Sequence, residues 1–164
     1  MAYKEMFSNE EWKTLEFSII WMFQAIAGAD KNIDTDELNA LAVLKDKTSK
    51  FECDIMKELV PSLHVDINTI SDYFEDDQKN IRIGLREVAD IVDTNLSAEQ
   101  SLLFKKSLLA IGMFIAYASG DVLSSKMSND ELQLLVELAL FMKMSITDYR
   151  KTPTVEELMK KFAE

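Results

Sequence analysis

Two stretches of this chain decide how it folds. The first is Ala25-Ile26-Ala27-Gly28-Ala29-Asp30, continuing as Ile33-Asp34-Thr35-Asp36-Glu37-Leu38; the second is Ala116-Tyr117-Ala118-Ser119-Gly120-Asp121, continuing as Met127-Ser128-Asn129-Asp130-Glu131-Leu132. In each, an apolar segment ends in small residues, an aspartate follows, and a turn leads into an acidic helix start. Asp30 to Glu37 is seven steps and Asp121 to Glu131 is ten, so the second turn is longer by three residues. The repeated unit is two helices joined by an acidic turn, used twice.

The flanking residues are helical in pattern. Ser8-Asn9-Glu10-Glu11 fits a capping box, in which a hydroxyl and a carboxylate three residues apart satisfy orphan N–H groups. Trp12, Leu15, Ile19, Met22, Phe23 and Ile26 follow at helical spacing, and Phe17, Ile20, Trp21 and Ala27 fill other faces. This predicts a helix over about 9–28 that neighbours bury on several sides. Ser97-Ala98-Glu99-Gln100 opens a second long apolar helix, carrying Leu102, Leu103, Leu108, Leu109, Ile111 and Phe114. Further helices are predicted after Asp34 to about Lys47, from Ser49 towards Pro61, after Asp66, through Ile81 to Asn95, after Ser128, and from Thr154 to Phe162. No alternating strand pattern competes. The expectation is one all-α domain over residues 1–164, a compact bundle of about 7–8 helices.

Composition supports this. Of 164 residues, 48% are apolar and 29% charged, while four glycines and two prolines are too few for a turn-rich β fold. Twenty-nine acidic against 18 basic residues leave a net charge of −11, which repels phosphate backbones and argues against nucleic acid as a partner. The single cysteine, Cys53, excludes an internal disulfide and cysteine-based zinc sites, and the single histidine, His64, excludes paired-histidine metal sites. Leu15–Ala29 is interrupted by Glu16 and Gln24, and Leu108–Ala118 is too short to span a bilayer. With no secretory pattern at Met1-Ala2-Tyr3-Lys4-Glu5, a cytoplasmic setting is expected.

The paired motif, small-x-small-x-x-Asp, a short turn, an apolar residue and then x-x-x-Glu, resembles the TerB-like tellurite-resistance family from about Trp12 to Ile146. Asp30 and Glu37 match in the first motif, Asp121 and Glu131 in the second. Lys31 and Val122 stand where family members usually carry glycine after the aspartate. The resemblance implies a compact helical module associated with tellurite and general chemical stress. It brings no established enzymatic reaction, and the family's acidic turns have been considered as metal sites. Tellurite is an anion, so a chain of net charge −11 is expected to be linked to it indirectly.

The turns admit two readings. Asp30-Lys31-Asn32-Ile33-Asp34 reproduces the D-x-N-x-D opening of a calcium loop, but Thr35 takes the place of the turn glycine and Leu41 that of the bidentate glutamate. A looser calcium or magnesium site would draw on Asp30, Asn32, Asp34 and Glu37, and on Asp121, Asp130 and Glu131. The alternative is helix capping: Asp34 with Glu37 and Ser128 with Glu131 form capping boxes, and Asp36 and Asp130 meet the helix dipole.

Elsewhere the signals are plainer. His64 has no nucleophile motif beside it. Cys53, between Glu52 and Asp54, is not set up as a thiolate. Glu16 and Lys106 are candidates for a partly buried pair across the bundle. Met142 and Met144 offer either a soft surface patch for a partner helix or filling under the terminal helix, with the second preferred.

The reading that follows is a non-enzymatic interaction module in a cytoplasmic stress complex, its acidic face meeting a partner with a basic surface. A peripheral membrane complex is compatible with it, and oligomeric state stays open. The alternatives are a calcium-type sensor and a metal-dependent enzyme using carboxylates of both turns.

Overall fold

A computed structural model describes residues 3–27, 42–43, 45–46, 53–62, 81–119, 129–145 and 147–148; at 23–24, 26–27, 113, 115–119 and 129–132 it describes the backbone alone. The described residues are helical, with no strand among them. Five α-helices stand out: α1 (Asn9–Ala27), α2 (Asp54–Leu59), α3 (Ile81–Asn95), α4 (Ala98–Ser119) and α5 (Asn129–Phe141). Short 3-10 turns occupy Tyr3–Met6 and Val60–Ser62. The helices expected after Asp34, after Asp66 and from Thr154 to Phe162 lie outside the described residues, apart from helical backbone at 42–43 and 45–46.

Helix α1 starts as its sequence dictates. The Ser8 N–H donates to Glu11 Oε1 at 2.8 Å, and the Glu11 N–H donates to Ser8 Oγ at 3.1 Å. Phe7, just before the cap, meets Trp12 in the first turn with ring centroids 6.0 Å apart, the hydrophobic staple that fixes the entry of the chain. Gln100 reproduces half of this arrangement at α4, its N–H donating to Ser97 Oγ at 3.1 Å. Helix α2 departs from expectation. Its start is at Asp54, because the backbone of Cys53 is extended (φ −84°, ψ 114°), and no side chain caps it. Pro61 falls in the 3-10 turn that closes it.

Packing follows from the apolar faces. Helix α1 lies against α3 and α4, and α5 lies against the same two helices. Leu15, Ile19, Ile20, Trp21 and Met22 of α1 are buried with Leu85, Val88 and Val92 of α3 and Phe104, Leu108 and Leu109 of α4. Each such side chain contributes about 1.5–3 kcal/mol by leaving water. Two glycines let helices approach closely. A Cβ at Gly84 would stand 2.7–2.9 Å from three atoms of the Trp21 indole, and one at Gly112 would stand 2.8 Å from Met22 Cε.

These contacts fix directions. The Asn95 amide, at the end of α3, donates to Glu11 near the start of α1 at 3.2 Å, while Trp21 late in α1 meets Gly84 early in α3. Helices α1 and α3 are therefore antiparallel. Asn95 is also separated from the start of α4 by only two residues, and further along Met22 faces Gly112, so α1 and α4 run parallel. Their C-terminal ends, Ala27 and Ser119, point to the same end of the bundle.

Candidate functional site

In sequence, the two acidic stretches follow the last described residues of α1 and α4. Asp30, Asn32, Asp34, Glu37 and Asp121 lie outside the described residues, so the structure neither joins nor separates them. Asp130 and Glu131 occupy the first turn of α5, described as backbone only. Leu135, one turn on, lies 3.3 Å from the Cβ position of Gly112, which places the α5 start towards the end where α1 and α4 finish. His64 also lies outside the described residues, and no group of three or more metal-binding side chains occurs among those described.

The described polar groups tie helices together. Across the α3–α4 hairpin, Asp93 accepts hydrogen bonds from Ser101 Oγ and from Lys105 Nζ, the latter at 3.0 and 3.2 Å to its two oxygens. Lys105 is buried, whereas Asp93 is about half exposed. Burial pushes the Asp93 carboxyl up, but the Ser101 hydroxyl and the Lys105 ammonium outweigh it and hold the group below the usual carboxylate range. A serine, a lysine and an aspartate are thus adjacent, yet both donors are spent on the carboxylate. The lysine is directed at Asp93 rather than at the Ser101 oxygen, an arrangement that fastens a hairpin instead of activating a nucleophile.

At the far end of α5 the chain turns through a Schellman cap: Met144 N–H donates to the Ala139 carbonyl and Lys143 N–H to that of Leu140, both at 3.0 Å. Lys143 sits at φ 60°, where glycine is usual, and its ammonium pairs with Asp90 of α3. Glu11 is lowered from its ordinary value, first by the Ser8 N–H and also by the Asn95 amide. The Tyr3 and Lys4 N–H groups donate to the Glu58 carboxylate at 2.8 and 3.2 Å, attaching the chain's start to α2.

One expectation changes here. Glu16 and Lys106 form no ion pair with one another. The buried lysine is its neighbour Lys105, because helical rotation turns position 105 towards α3. Met142 and Met144 are core residues, in line with their preferred reading as filling, and the terminal helix expected over them lies outside the described residues. The Cys53 thiol is buried beside Ser107, and burial pushes it up, away from thiolate chemistry. The hollow next to it, about 60 Å³ and lined by Tyr3, Ile55, Gln100 and Leu103 among others, is small for a ligand. Sequence reasoning missed the Asp93–Ser101–Lys105 group. Its signal was a serine and a lysine one turn apart facing a carboxylate across a two-residue helix connection.

No helix among the described residues is long and apolar enough to cross a membrane. No family model matches the sequence, and comparison with curated proteins and with solved structures finds no significant match.

Proposed function

We propose that this protein is a non-enzymatic helical interaction module of the TerB-like type, one bundle of 7–8 helices built on two helix–acidic turn–helix units. The observation that carries this reading is the parallel run of α1 and α4, whose last described residues, Ala27 and Ser119, lie towards one end of the bundle. A concentration of carboxylates at one end of a chain with net charge −11 suits a partner with a basic surface. The use of described polar groups as ties between helices also favours a rigid platform over a reacting centre.

The same parallel run favours a second reading, in which Asp30, Asn32, Asp34 and Glu37 with Asp121, Asp130 and Glu131 hold calcium or magnesium, hard cations that take several oxygen ligands. Affinity capture from native cells, with and without chelator, tests both. A discrete partner retained under both conditions supports the platform. A partner lost with chelator, together with amide shifts confined to residues 30–37 and 121–131 on calcium titration, supports the cation site. Recovery of no partner in either condition counts against the module.

A further inference from the structure

The surface where α5 crosses α3 carries two of the exposed large apolar side chains among the described residues. Leu140 is 51% exposed and Ile83 56% exposed. A groove of about 300 Å³ is lined by Arg82, Arg86, Leu140 and Phe141, with the Arg82 guanidinium 5.8 Å from the Phe141 ring centroid. Glu137 is exposed and stands three and four residues before Leu140 and Phe141, on the same face of α5. Neither Arg86 nor Glu137 has an ion-pair partner among the described residues.

An occupant of this strip must offer a carboxylate to Arg86, a cation to Glu137 and an apolar group to Leu140 and Phe141. A uniformly acidic segment would leave Glu137 facing its own charge, and a basic one would do the same to Arg86. The strip itself carries all three features. A two-fold axis sets a surface against its own image, so the arginine end of one copy meets the glutamate end of the other. We propose that this strip is a two-fold contact between two copies of the chain, with Leu140 packed at its centre and Arg86 of each copy paired with Glu137 of the other. The net charge of −11 opposes association at long range. At physiological ionic strength, charges beyond about 8 Å are largely screened, and the local pairs decide.

Sedimentation of the full chain from micromolar to millimolar concentration reads this directly. The mass is expected to rise from one chain towards two. Leu140→Glu is expected to hold it at one. Arg86→Glu and Glu137→Arg, each placing like charges together, should weaken association about tenfold or more, and the double variant should recover most of that loss. All three positions are exposed, and circular dichroism of each variant verifies its folding. A mass of one chain at every concentration overturns the proposal. So does a dimer that survives Leu140→Glu, or a double variant no better than either single one.

Discussion

Replacing Gly84 by alanine tests the α1–α3 contact. In an isolated helix the change would help, since alanine is about 0.8–1.0 kcal/mol more favourable than glycine. Here the new methyl would stand 2.7, 2.8 and 2.9 Å from Cη2, Cζ3 and Cζ2 of Trp21, all closer than real Cβ contacts. The indole is rigid and buried, so it cannot swing aside as a long aliphatic tip would. Overpacking of this kind costs about 1–3 kcal/mol. Set against the propensity gain, Gly84→Ala is expected to destabilise by about 1 kcal/mol, lowering the melting temperature by roughly 2–4 °C for a chain of this size. Gly112→Ala is the control. Its methyl meets only the ends of unbranched or flexible side chains, Met22 Cε at 2.8 Å and Leu135 Cδ2 at 3.3 Å, which can shift a few tenths of an ångström, so stability is expected to be unchanged or slightly higher. Urea unfolding followed by tryptophan fluorescence measures both. Trp21→Phe removes the three contacting atoms and should make Gly84→Ala far less costly, a coupling of about 0.5–3 kcal/mol. Gly84→Ala as stable as Gly112→Ala, or no coupling to Trp21, would refute the packing described.

Three further outcomes are expected. Asp93 is held below its unfolded value near 3.9, so its contribution is present above that pH and is lost as pH falls towards the folded value; in Asp93→Asn, urea midpoints should fall less steeply over that acid range. At neutral pH the same substitution removes the charge partner of buried Lys105 and should cost about 1–3 kcal/mol. Lys143→Gly relieves a left-handed backbone strain of about 1 kcal/mol or more while losing an exposed ion pair worth about 0–1 kcal/mol, so thermal melting should show a small net gain. The Cys53 thiol should resist a disulfide reagent in the native protein and react promptly in denaturant; fast native labelling would contradict its burial.

The long helices were legible because their signals are local. Ser8 and Glu11 make the capping box their spacing announces, α1 starts at Asn9 as expected, and α3 stops at Asn95 as the apolar period does. Misjudged features depend on neighbours. Periodicity could not reveal that Cys53 would be extended and buried, delaying α2, nor that Lys105 would be buried and paired with Asp93 while Lys106 makes no pair with Glu16. Met142 and Met144 are buried, as their preferred reading as filling expects, because the Schellman turn at Lys143 folds them back into the core. The acidic turns were legible as composition only. Which oxygens converge depends on backbone conformation between helices, which no residue pattern specifies.

The central claim is that the two acidic turns share one end of the molecule. Spin labels at Lys31→Cys and Val122→Cys, in a Cys53→Ala background, measure it by electron–electron dipolar coupling. Neighbouring parallel helices lie about 8–10 Å apart, so with the label arms a distribution centred near roughly 20 Å is expected. A distribution centred beyond the roughly 28 Å length of the 19-residue α1 would place the turns at opposite ends and contradict the account.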